Sequence, residues 1–141
     1  MGLLSLYNCL YLRYYVTITH MKKVLIIEDD SFLQGLEVGK LRKDNYEVIV
    51  ASTGEEGMGK IAEAGIDLIL LDLILPKFDG FEILRKVKET DGLKHIPVIV
   101  FSNLSEEKDI KKAENLGATD FMVKSNFTLD ELIDHINKIL K

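Results

Sequence analysis

The chain of 141 residues contains one cysteine, two prolines, three histidines and no tryptophan. A lone Cys9 excludes an internal disulfide, so nothing in the composition demands an oxidising compartment. His20, His95 and His135 stand far apart and share no metal-ligand spacing, which makes them surface or structural residues. Basic residues are not in excess: 18 Lys and Arg face 23 Asp and Glu, for a net charge of -5. Arg13 is the only charge in the first twenty residues, and removing its single positive charge leaves -6 for the remainder. That acidic balance argues against non-specific nucleic-acid binding. Ser5, Asn8 and Arg13 interrupt the apolar N-terminal stretch, so it makes a poor membrane span, and it has no clear signal-peptide layout. No Pro-, Gly- or Ser-rich linker, internal repeat or low-complexity segment divides the chain.

What remains is an ordinary globular composition, 47% apolar and 29% charged, of a length that suits one domain with a real core. Its organising stretch is Leu68-Ile69-Leu70-Leu71-Asp72-Leu73-Ile74-Leu75-Pro76. The run has the length and branching of a strand buried on both faces. A carboxylate inside such a run is costly unless it lies at the strand's end, where water, a metal or a cation can meet it. Asp72 is therefore expected at the carboxyl edge of a central strand, the edge where ligands bind in open α/β sheets. On this segment alone, a helix cap or turn is the competing role.

From Met21 onward the chain alternates. Val24–Ile27 reads as a strand, followed by a helix capped by Asp30 or Ser31, with Leu33, Leu36, Val38 and Leu41 on its apolar side. Residues 46–50 form a second strand, and Ser52 or Thr53 caps a helix weakened by Gly54, Gly57 and Gly59 and ended by Gly65. Residues 67–71 form the third strand, and 76–80 a loop. A helix marked by Phe81, Leu84 and Val87 then runs to about Thr90. The fourth strand spans 97–101, with Pro97 at its first position, where no ladder donor is missed. Ser105-Glu106-Glu107 opens a helix that Gly117 closes, residues 119–123 form the fifth strand, and Thr128 to Glu131 is a capping box. Five strands alternating with five helices through short loops imply a doubly wound parallel sheet.

The strand ends then coincide: Glu28-Asp29, Asp72, Ser102 and Lys124 fall on one edge. With strand order 2-1-3-4-5, the switch point lies between the first and third strands. Carboxylates that close repel unless a cation lies among them. An all-oxygen set without histidine or cysteine favours a hard ion, Mg²⁺ or alternatively Mn²⁺. A lysine and a hydroxyl beside a metal can hold the oxygens of a transferred phosphoryl group, and the central carboxylate, Asp72, is the expected nucleophile. Taken singly, each of these residues has a simpler reading as a cap, a turn or a solvated strand end.

On the segments VLIIEDD (24–30), LILLDLILPKFDGFEIL (68–84), VIVFS (98–102) and GATDFMVK (117–124), the chain from Met21 to its C-terminus resembles the receiver domain of two-component response regulators. The resemblance implies a flavodoxin-like (βα)5 fold with Asp72 as the phospho-accepting residue. It makes Glu28 and Asp29 the acidic pair that holds Mg²⁺ with Asp72 and the backbone carbonyl of Ile74. It makes Ser102 the switch hydroxyl, Lys124 the phosphoryl partner and Phe121 the aromatic switch residue. Pro76 and Gly80 would shape the loop after Asp72. The implied protein is a cytoplasmic, stand-alone phosphoacceptor switch, not an enzyme beyond catalysing its own phosphorylation and dephosphorylation. Its implied partners are a histidine kinase or phosphotransfer protein and a downstream protein at the face of the fourth helix, fifth strand and fifth helix. No direct nucleic-acid or membrane contact is expected, and room is left for a phosphorylation-linked homodimer. A receiver-like interaction module working without phosphorylation is the alternative.

Departures from the family pattern are specific. Ser125 stands where a cis-proline usually follows the lysine, and a cis bond before a non-proline costs about 3 kcal/mol. Asn103 replaces a small residue after the switch hydroxyl, and Phe121 replaces a tyrosine or histidine. Two residues past Asp72 and two past Ser102 stand Ile74 and Leu104, which cannot orient an attacking water, so self-dephosphorylation is expected to be slow. Ile74 also lacks the second acid of aspartate-nucleophile phosphohydrolases. Glu28-Asp29-Asp30 is the wrong charge for a phosphate-cradling flavin or nucleotide loop. Residues 1–20 read first as an upstream extension or a tail outside the chemistry, next as an added strand or helix packing on the domain or on a partner, and last as a membrane anchor.

Overall fold

The computed structural model describes residues 2–19, 21–63 and 65–141, so His20 lies outside the described residues. An N-terminal helix α1 (Gly2–Thr19) precedes the alternating body. There follow β1 (Lys23–Ile27), α2 (Ser31–Lys43), β2 (Glu47–Ala51), α3 (Gly54–Ile61), β3 (Leu68–Leu71), β4 (Ile74–Leu75), β5 (Phe78–Asp79), α4 (Gly80–Glu89), β6 (Val98–Ser102), α5 (Glu107–Leu116), β7 (Asp120–Val123) and α6 (Leu129–Leu140). The five-stranded sheet is all parallel in the order β2-β1-β3-β6-β7, the expected 2-1-3-4-5 when only its own strands are numbered.

Alternation along each strand divides the core. Leu25, Ile27, Ile69, Leu71, Val98 and Val100 face one side, where they meet Ile61 of α3, Phe81, Ile83 and Leu84 of α4 and Ala113 of α5. Val24, Ile26, Leu68, Leu70, Ile99 and Phe101 face the other side, against Leu41 of α2 and Leu132, Ile133 and Ile136 of α6. Both faces of the sheet are thus covered, which is why its strands read as continuous apolar runs.

Local chemistry sets the helix ends. Asp30 accepts from the Leu33 N–H, Thr53 from Glu56 and Asp79 from Phe81, so each caps its helix. Thr128 and Glu131 form the expected capping box, and Gly117 closes α5 in the left-handed region at φ 104°. The short hairpin β4–β5 was not expected, because its strands are two residues each and bracket Pro76-Lys77. Gly54 and Gly57 do more than weaken α3. A Cβ on Gly54 would come within 2.5 Å of the Phe78 ring, and one on Gly57 within 2.7 Å of Ile27. Leu36 is exposed instead of facing the core; Glu37 takes the buried position beside it.

The first segment is helical, a form that does not decide among the three expectations for it. Its described apolar side chains, among them Leu6, Tyr7, Leu10 and Tyr14, are exposed, and Tyr11 stacks on Tyr15 at 6.4 Å. No described helix is long and apolar enough to cross a membrane.

Candidate functional site: an acidic cluster at the sheet's switch point

Strands β1, β3, β6 and β7 end along one edge and present Glu28, Asp72, Ser102 and Lys124 there. Register places Ile27 beside Leu71 and Ser102 beside Val123, so these residues fall on adjacent strand ends. Backbone bonds continue the ladder to the site: the Asp72 N–H donates to the Ile27 carbonyl at 3.0 Å, and the Glu28 N–H to the Ala51 carbonyl at 3.1 Å.

Lys124 joins the cluster. Its Nζ donates to Glu28 Oε2 at 2.7 Å and to Asp72 Oδ2 at 2.8 Å, and lies 6.0 Å from the Phe101 ring centroid. The second oxygen of each carboxylate meets the backbone: Asp72 Oδ1 accepts from the Ile74 N–H at 3.0 Å, and Glu28 Oε1 from the Asp30 N–H at 3.1 Å. The turn role considered for Asp72 is thus real, and it coexists with the position at the strand edge. Glu28 is 2% exposed and Asp72 6%, whereas Asp29 is open to solvent.

One carboxylate oxygen from each of Glu28, Asp29 and Asp72 lies within 4.8 Å of the others. With all three ionised, one ammonium offsets only one of three negative charges, and the excess suits a divalent ion. The donors are all oxygens, and two come from buried carboxylates, which fits a hard cation such as Mg²⁺. Burial pushes the Glu28 carboxyl above its usual range; the bond from Lys124 opposes this and the charge on Asp72 adds to it. Desolvation pulls the Lys124 ammonium down, but its bonds to Asp72 and Glu28 outweigh that and leave it raised.

The remaining expected residues surround this cluster. Ser102 is fully buried, and its Oγ accepts from the Leu104 N–H at 3.4 Å. Phe121 is half-buried and packs against the core on the α3–α4–α5 side. Ile74 is tied by its backbone to Asp72 and exposes its side chain, and Asn103 is exposed. The peptide bonds described are all trans, including the one before Ser125, and Lys124–Asn126 forms a single 3₁₀ turn.

Two residues near the site were missed in the sequence. Gln34 donates from Nε2 to the Glu28 carbonyl at 2.9 Å and to Ser52 Oγ at 3.2 Å, bridging two strand ends. Glu37 is a buried carboxyl on α2. Its signal was the i, i+4 spacing Leu33–Glu37–Leu41, which places one acid in a leucine row.

A doubly wound parallel sheet with an acidic, oxygen-only cluster and one lysine at its switch point defines a class of flavodoxin-like domain. The chain belongs to the response regulator receiver domain family, whose model matches residues 24–137. It is 34% identical to the response regulator ArlR of Staphylococcus haemolyticus over 121 residues, 86% of this chain and 53% of that protein. It is 31% identical to a gliding motility regulatory protein of Myxococcus xanthus over 117 residues, 83% of this chain and 15% of that protein. The chain thus spans about half or less of these curated relatives. Among solved structures, a CheY-like receiver domain protein from Methanospirillum hungatei JF-1 superposes with a TM-score of 0.79 at 27% identity, covering 85% of this chain and 94% of that one. The BeF3-activated receiver domain of Klebsiella pneumoniae RstA gives 0.75 at 26% identity, covering 85% and 99%. Receiver domains are signalling modules that bind Mg²⁺ in an acidic pocket and work with histidine kinases and downstream effectors.

Proposed function

We propose that this chain is a phosphoacceptor switch in which Asp72 takes a phosphoryl group from a histidine kinase or phosphotransfer protein. The observation that carries this reading is the Asp72 carboxylate itself: buried at a strand end, held by Lys124 through one oxygen and by a backbone N–H through the other. These two bonds fix its orientation before any donor arrives, which is how a positioned nucleophile lowers the entropic part of a barrier.

In the proposed transfer, an Asp72 oxygen forms a bond to phosphorus as the donor's bond to phosphorus breaks. Glu28, Asp29, Asp72 and the backbone carbonyl of Ile74 are the proposed Mg²⁺ ligands. A bound Mg²⁺ would neutralise phosphoryl oxygens as their charge redistributes. Lys124 supplies a fixed positive charge to the same oxygens, and Ser102 is the hydroxyl donor to the product. Phe121 is the aromatic side chain that follows Ser102 when it moves. The phosphoryl group shifts an inactive/active equilibrium by binding the active form better. Output through α5, β7 and α6 is part of the proposal, as is a domain running from Met21 to the C-terminus with residues 1–20 outside the chemistry.

The donor's docking surface is proposed on α2. Phe32, 76% exposed, and Leu36 stand four residues apart on the outer side of the helix whose cap adjoins Glu28 and Asp29. An exposed apolar pair on this helix gives a phosphodonor protein something to bury.

Incubation with a small-molecule phosphodonor and Mg²⁺, followed by intact mass, tests the reading. A phosphoryl-sized gain is expected, absent without Mg²⁺ and absent in Asp72→Asn. If the mass stays unchanged with both the small donor and a cognate kinase, the chain is not a phosphoacceptor.

A further inference from the structure

Among the described residues, Glu37 is the buried carboxyl that the proposed transfer does not use. It holds the middle position of the α2 row Leu33, Glu37, Leu41 and is 1% exposed, and its Oε2 has no hydrogen-bond partner. Gln34, three residues earlier on the helix, donates to the Glu28 carbonyl at 2.9 Å. Glu37 lies only about 4.5 Å further along the helix axis at the usual rise per residue. Helical side chains lean toward the helix N-terminus, so this carboxyl leans toward the Asp30 cap and the acidic cluster.

Four charged groups act on it: Glu28 at the end of β1, Asp30 at the α2 cap, Asp72 at the end of β3 and Lys124 at the end of β7. None shares a hydrogen bond or ion pair with it. Leu132 and Ile136 of α6 line this side, together with the Tyr46 phenol, which donates to Asn137 at 2.5 Å; Asn137 in turn donates to Asp44, and His135 faces Asp120. Burial first, and then the negative charge of Glu28, push the Glu37 carboxyl up to about 8, with Lys124 opposing.

We propose that Glu37 is a charge-sensing positioning residue beneath the acidic cluster, holding a proton while the cluster is strongly negative and releasing it to solvent when that charge is reduced. The O–H bond of the acid breaks, the carboxylate keeps the electron pair and the proton leaves to water. A divalent ion among Glu28, Asp29 and Asp72 would trigger release, and a phosphoryl dianion on Asp72 would favour retention. Ion binding then strengthens as pH rises. The ion part of this coupling rests on the Mg²⁺ reading above; the coupling to Asp72 does not.

The test uses the full chain with ¹³C-labelled glutamate, following side-chain carboxyl shifts from roughly pH 5 to 10. One signal titrating near 8 is expected, and it is missing in Glu37→Gln. Glu37→Leu supplies the same assignment should the glutamine variant not fold. Asp72→Asn, without metal, lowers the midpoint by about half a pH unit or more. MgCl₂ added to the wild type lowers it likewise. A Glu37 signal titrating near the ordinary 4.5 overturns the proposal. So does a midpoint that stays fixed in Asp72→Asn, or one that stays fixed in Mg²⁺ while the Glu28 signal moves. If Mg²⁺ moves no carboxyl signal, the metal reading fails, and the Asp72→Asn arm decides on the sensor alone.

Discussion

The two sides of the sheet are built differently. The α3–α4–α5 side is apolar and fitted by shape: Gly54, Gly57 and Gly80 each lack room for a methyl group, against Phe78, Ile27 and Leu73. The α2–α6 side contains polar groups: Glu37 in the helix row, Tyr46 bonded to Asn137, Asn137 to Asp44 at 2.8 Å, and His135 against Asp120 at 2.5 Å. One side is specified by volume, the other partly by charge. Glu37 is where burial and charge meet: desolvation, and then the charge on Glu28, raise its carboxyl.

Substitutions that should leave one side indifferent and damage the other test this contrast. Gly80→Ala has the largest expected effect, a loss of about 4 kcal/mol in urea unfolding. Its Cβ would lie 2.4 Å from the Leu73 Cα, and backbone cannot move aside as a side chain can. Ile83→Ala, at a fully buried position on the same side, should cost about 3 kcal/mol. Glu37→Leu on the other side should reverse the sign, with a gain of about 2 kcal/mol near neutral pH, because it removes an unpartnered buried acid. If this variant is destabilised, the α2 side is packed as tightly around its acid as the other side is around its glycines.

That gain should depend on pH, with a definite sign. Glu37 is raised from 4.5 to about 8 in the folded chain, so between those values the unfolded chain has lost a proton that the folded chain keeps. Stability conferred by this site therefore falls as pH rises from about 4.5 and levels off above about 8. Unfolding of the wild type against Glu37→Leu across that range should show the difference widening by up to about 1.4 kcal/mol per pH unit. The smallest effect is at the strand edge, where Leu104 carries the apolar side up to Ser102. Ile74→Asn or Leu104→Glu should speed loss of the phosphoryl group several-fold in a decay assay. Unchanged decay in both would remove the inference of a long-lived phosphorylated form.

Much of this was readable from residue order. Apolar runs 24–27, 68–71 and 98–101 predict strands covered on both sides, and their polar ends predict the edge on which Glu28, Asp72 and Ser102 meet. Thr128 and Glu131 predict their own capping box. The failures have separate physical causes. Gly54 and Gly57 read as helix-weakening until Phe78 and Ile27 are seen against them. Leu36 reads as core by its hydrophobicity, yet helix phase buries Glu37. The hairpin β4–β5 is too short for periodicity to register. For α1, with its described apolar side chains exposed, composition showed that the segment differs but not what form it takes.

The fit of Phe78 over Gly54 has a mechanical consequence. With Gly80 wedged against Leu73, it clamps the segment after Asp72 to the first turn of α3, so this flank of the cluster is stiff. At the opposite flank, β6 and β7 pair through their backbones up to Ser102 beside Val123. A push at Asp72 would meet the close fit of Phe78 and of Gly80 on the first flank. That resistance depends on two missing methyl groups, at Gly54 and at Gly80.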